Sequence, residues 1–136
     1  MNNILCAIDF SESSMHSLTW ACWISSLLNS RLEILYTYRL RPGLKELFEY
    51  RTHVEAEANK KFNAIKKEIF NGCSIPYDFR VEVGFLHDRI EARIKMSPVS
   101  FLVIGNELQN QMSLDGKGVN PEGVVSSFKI PVVIVP

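Results

Sequence analysis

The residues with chemical capacity fall at the ends of apolar runs. Asp9 closes "ILCAI" (4–8), and Gly105 closes "SFLVI" (100–104). Beyond Gly105, the polar stretch "NELQNQMSLDGKGVNPEGVV" holds Gly116, Lys117 and Gly118 ahead of a short helical pattern. A strand, a glycine, a polar loop with further glycines and then a helix make the outline of a phosphate-binding loop. Glycine lets backbone N–H groups approach an anion, and it tolerates the positive φ that such a cradle requires. Asp9 has a second use, because an aspartate followed by "FSESS" can order the turn by accepting hydrogen bonds from it.

Other reactive residue types form no comparable constellation. His16, His53 and His87 lie on three separate segments without metal-ligand spacing, and His87–Asp88 is expected to cap a helix or face solvent. Ser126–Ser127 sit in no G-x-S-x-G elbow, which leaves nucleophilic catalysis without support. A phospho-acceptor pocket would need an acidic pair where "IDFSE" supplies one aspartate followed by phenylalanine. Cys6, Cys22 and Cys73 show no CxxC or Cys/His spacing, so neither zinc nor a disulfide framework is indicated. Cys6 and Cys22 lie in apolar runs and read as small hydrophobes.

Fifteen basic and fifteen acidic side chains cancel, so nothing favours nucleic acid or an anionic membrane as partner. The basic run "KKFNAIKK" is ringed by glutamates and reads as a solvated helix face. No basic-then-apolar leader opens the chain, and no run reaches the ~18 apolar residues of a membrane span. The expectation is a soluble cytoplasmic protein with one domain over 1–136.

The elements that must position Asp9 and Gly105 alternate in type. "ILCAI" is a strand buried on both faces, followed by a helix capped by Ser11 or Ser13 and running to about Leu28. Leu18, Ala21, Cys22, Ser25 and Leu28 make its apolar stripe. Trp20, Trp23, Ile24 and Leu27 widen that stripe, which predicts broad burial for both tryptophans. A strand at 31–38, a Pro42–Gly43 turn and a helix over 52–70 come next, with Val54, Ala58, Phe62, Ile65 and Ile69 on one face. "YDFRVEV" (77–83) alternates, as expected of an edge strand with one wet face. A helix over 86–96 stops before Pro98, and a strand at 100–105 follows it. After the polar loop come a helix over 121–128 and the strand "PVVIVP" from Pro131 to Pro136. Alternating strands and helices imply right-handed crossovers and a parallel sheet covered on both faces, with ligands bound beyond the strands' carboxyl ends.

On "ILCAIDFSESS", Gly84, "FLVIG" and "PVVIVP", the chain resembles the universal stress protein family over essentially its whole length. That resemblance implies an α/β three-layer sandwich with a five-stranded parallel sheet of strand order 3-2-1-4-5. It also implies ATP binding in many members and dimerisation through the fifth strand. The family's nucleotide-binding branch carries G-x2-G-x9-G-[S/T] after the fourth strand. Set on Gly105, the motif places its second glycine at Leu108, its third at Gly118 and its hydroxyl residue at Val119. Leu108 adds bulk where backbone should meet phosphate, and Val119 lacks the hydroxyl that would donate to it. Asn120, Pro121 and Glu122 instead resemble a helix start, with a negative charge that competes with phosphate. By the resemblance, Asp9 would meet the nucleoside, with Ala7 and Thr37 near the base.

The expectation is a dimeric stress-response protein that acts by binding or protein contacts, without catalysis and without tight ATP binding. No cofactor is expected. Its partners would be a second copy, through the 131–136 strand, and another protein, met by the aromatic segment from Leu44 to Tyr50. The alternative is a sensor of ATP or another adenine nucleotide, held by Asp9 and the loop between Gly105 and Gly118.

Overall fold

The computed structural model describes residues 2–40, 47–112 and 121–136. Strands β1 (Asn3–Ile8), β2 (Arg31–Tyr38), β3 (Tyr77–Val83), β4 (Val99–Gly105) and β5 (Val132–Val135) form one sheet in the order β3-β2-β1-β4-β5. All four pairings are parallel. Helices α1 (Glu12–Leu27) and α2 (Leu47–Ile69) cover one face. The other face meets α3 (Leu86–Met96), α4 (Asn106–Met112) and Phe128, just beyond α5 (Pro121–Ser126). The three layers and the strand order are those that the alternating pattern and the family resemblance predict.

β1 explains the arrangement. Ile4, Cys6 and Ile8 pack with Leu18, Ala21 and Cys22 of α1, whereas Leu5 and Ala7 pack with Leu86, Ile90 and Leu108 on the opposite side. A strand apolar at every position can be satisfied only between two layers, so its chain connections must leave toward both edges of the sheet. Cys6 and Cys22 take the small-hydrophobe role expected of them, and burial pushes each thiol up to about 12.

Several local expectations change. Trp20 and Trp23 are 43% and 53% exposed, and Leu27 and Leu28 are exposed as well. In a three-layer sandwich a covering helix meets the sheet along one stripe only, and α1 buries Leu18, Ala21, Cys22 and Ser25 there. The tryptophan rings meet edge to face 5.2 Å apart, and the Trp20 indole N–H donates to His16 Nε2 at 3.2 Å. α2 begins at Leu47, five residues earlier than the pattern indicates, and leaves Phe48 exposed. The stretch after Gly105, expected as loop, is helical through Met112.

A buried ion pair crosses between layers. Glu33 on β2 and Arg93 on α3 are both buried and meet at 3.2 Å, with Ser97 Oγ–H donating to the second carboxylate oxygen at 3.5 Å. Removing one member strands a buried charge. Arg93→Met is therefore expected to cost about 3–5 kcal/mol in urea unfolding, and the double variant Glu33→Leu/Arg93→Met to recover most of that loss.

Candidate functional site: the cleft at the carboxyl ends of β1 and β2

β1 has β2 on one side and β4 on the other, and the connections diverge at its carboxyl end. That geometry opens a crevice beyond the strand ends. A cavity of about 130 Å³ lies there, lined by Asp9, Thr37, Arg39, Phe85, Leu108 and Met112 among others. Asp9 and Thr37 are thus brought together, as the resemblance implies. Ala7 is fully buried in the core beneath them, and neither it nor Gly105 lines the cavity. Gly118 and Val119 lie outside the described residues.

Asp9 organises the first turn. Its Oδ1 accepts from the Ser11 N–H at 3.0 Å and from the Ser11 hydroxyl at 2.6 Å. The Ser11 Oγ in turn accepts from the Ser14 N–H at 3.1 Å, which caps α1, and the Asp9 N–H donates to Ser14 Oγ at 2.8 Å. This closed ring holds Phe10 at φ 65°, a backbone angle uncommon for a bulky residue. Phe10 there packs its ring on Tyr36 and Phe79. Burial first, and the Asp9 carboxylate second, raise the Tyr36 phenol above its ordinary range.

Gly105 has a packing reason of its own. A Cβ at this position would lie 3.3 Å from Ser13 Oγ and 3.6 Å from the Ser13 carbonyl oxygen. β4 and α1 approach closely at this point, independent of any ligand.

Helix α4 occupies the first part of the stretch, 105–119, where the resemblance puts the phosphate loop. Leu108 and Met112, four residues apart, both turn into the core beside Ala7, Leu35 and Ile104. Their spacing gives α4 one apolar face, and Glu107 in the first turn suits the helix dipole. Beyond its first turn a helical backbone directs its N–H groups along its own axis toward carbonyl oxygens, whereas a glycine cradle turns them toward an anion. Leu108 is also where the motif expects a glycine.

Among the wall residues that escaped the sequence reading are Arg39 and Phe85. The Arg39 guanidinium lies 5.0 Å from the centroid of the Phe85 ring. Each follows the end of its strand, β2 or β3, and that position at a carboxyl edge was the available signal. Gly84 makes the turn possible. At φ 136° it donates its N–H to the Tyr38 carbonyl oxygen at 2.8 Å, in a backbone region suited to glycine.

Against this geometry, the sequence profile of the universal stress protein family matches residues 1–136. The chain belongs to the universal stress protein family. No curated protein sequence matches it at a significant level. Solved universal stress proteins share its fold at low identity. Universal stress protein UspA from Lactobacillus plantarum is 19% identical, with a TM-score of 0.75, covering 99% of this chain and 97% of that one. A universal stress protein from Archaeoglobus fulgidus in complex with dAMP is 16% identical, with a TM-score of 0.70 and coverage of 100% and 98%. A universal stress protein in complex with cAMP is 22% identical, with a TM-score of 0.65 and coverage of 99% and 97%.

Replacing Asp9 should be felt without any ligand. Asp9→Ala is expected to lower stability by about 1–3 kcal/mol in chemical denaturation, because the Ser11 N–H loses its acceptor in a partly buried turn.

Proposed function

We infer that this universal stress protein works as a non-catalytic binding protein, in dimeric form, and does not hold a nucleoside triphosphate tightly. The observation that supports this most directly is the burial of Leu108 and Met112 in the core. α4 is thereby anchored where a triphosphate would need exposed backbone donors. The cavity beside Asp9 points the same way, since its 130 Å³ falls below the roughly 300–1,000 Å³ of usual small-molecule pockets. Output by protein contact is favoured by the exposed Phe48 at the start of α2, within the 44–50 segment singled out in the sequence, of which residues 44–46 are outside the described residues. No helix among the described residues is long and apolar enough to cross a membrane, and the working place proposed is the cytoplasm.

A second reading has its own support. Solved family members carry cAMP and dAMP, which are monophosphates and need no triphosphate cradle. A nucleoside monophosphate on Asp9 and Thr37 would place less demand on the stretch after Gly105. Calorimetric titration of magnesium-ATP and of AMP into the wild type and Asp9→Ala separates the readings. The expected result is no heat with ATP at millimolar concentration. AMP heat lost in Asp9→Ala would establish the monophosphate reading, and tight ATP binding lost in that variant would overturn the first.

Dimerisation rests on β5. It pairs with β4 on one side, and Val133 and Ile134, pointing to opposite faces, are 36% and 41% exposed. An apolar edge strand invites a partner strand, and a second copy satisfies it with two-fold symmetry. Light scattering on the purified protein is expected to give a dimer mass, and Ile134→Lys a monomer; a monomeric wild type at micromolar concentration would end the proposal.

A further inference from the structure

Away from the cleft, His87 occupies an unusual environment for a helix-start histidine. Sequence reasoning places it at a cap or in solvent, yet it is only 6% exposed. Its ring stacks on Phe128, centroids 4.8 Å apart with the planes 29° from parallel. One nitrogen is accounted for: Nε2 lies 2.8 Å from Ser127 Oγ. The other, Nδ1, is buried and finds no hydrogen-bond partner among the described residues. A buried ring nitrogen without a partner costs free energy, and nothing in the described packing requires a polar atom there.

Two carboxylates stand around the ring at distances too long for hydrogen bonds. Asp88 Oδ1 is 3.8 Å from Nδ1, and Glu91 Oε1 is 3.6 Å from Nε2. One donor atom from each of the three residues lies within 4.8 Å of the other two. Ligands bound at about 2.0–2.2 Å to a tetrahedral ion stand roughly 3.3–3.5 Å from one another. The 3.8 Å between Nδ1 and Asp88 is near that spacing, whereas Glu91, closest to Nε2, must turn to join an ion on Nδ1.

We propose that His87, Asp88 and Glu91 form a binding site for a divalent transition metal of the zinc class at the start of α3. Nδ1 is the imidazole donor, because Nε2 is engaged by Ser127. When Nε2 carries the proton and donates it to Ser127, the Nδ1 lone pair is left for the ion, the usual way an outer partner sets a metal-binding tautomer. Asp88 supplies the second ligand. Glu91, half-exposed and one turn further along the helix, supplies the third through a side-chain rotation. A cavity of about 380 Å³ bordered by Glu91, Ser127 and Lys129 lies on the Glu91 side of the cluster and leaves that side chain room to rotate. Lys95 and Lys129 on that cavity oppose a loosely held cation, so the ion is held by direct ligation. An imidazole beside two carboxylates selects zinc, nickel or cobalt over magnesium and calcium, which favour oxygen-only ligand sets.

The test is a calorimetric titration of zinc into the metal-free protein, repeated on the double variant Asp88→Asn/Glu91→Gln. Both carboxylates are substantially exposed, so this variant keeps the fold, which circular dichroism checks. The expected result is one zinc per chain in the wild type, weakened roughly tenfold or more in the variant. Magnesium and calcium should give no comparable heat. Cobalt should bind without the thiolate charge-transfer absorption that cysteine ligation produces. No zinc binding by the wild type, unchanged affinity in the double variant, or a thiolate band with cobalt would each overturn the proposal.

Discussion

The fold depends on the complete burial of β1. Every residue from Ile4 to Ile8 is apolar and nearly inaccessible, with α1 and α2 on one side and α3 and α4 on the other. A strand of this kind cannot lie at an edge or face water. It takes the centre of the sheet, and right-handed crossovers then carry the chain toward β2 and β3 in one direction and β4 and β5 in the other. The crevice at its carboxyl end is a by-product of that divergence, available whether or not a ligand uses it. Asp9 stands at that point because β1 stops there.

What fills the crevice decides its use. The same layer that covers Leu5 and Ala7 continues into Leu108 and Met112, so α4 is held by the hydrophobic effect rather than by a bound anion. The Asp9–Ser11–Ser14 ring likewise satisfies itself internally. Both features give this member of the universal stress protein family a cleft whose walls are ordered by the protein's own contacts.

Much of this could be read from residue order, and the failures have physical causes. Strand positions were legible because continuous apolar runs bounded by Asp9 and Gly105 admit few alternatives. A serine cap on α1 followed from residue type, which left Ser11 and Ser13 open, and Ser11 takes the role. α4 was missed because two apolar residues four apart, Leu108 and Met112, are too few to establish a helical period amid "NELQNQM". The exposure of Trp20 and Trp23 was missed because apolar character on all sides of α1 does not say how many neighbours the helix will have. His87 was misplaced because Phe128, which covers it, lies far along the chain. Local pattern carries no trace of such a contact.

Gly105 shows how a motif residue can serve two ends. Its hydrogen side lies against Ser13, close enough that a Cβ would require the Ser13 hydroxyl to give way by a few tenths of an ångström. Selection for that contact alone would preserve the glycine in a chain that had never met a phosphate. A glycine aligned with a ligand motif is thus evidence first for two backbones in contact, and for a ligand only when neighbouring positions agree. At Leu108 they do not.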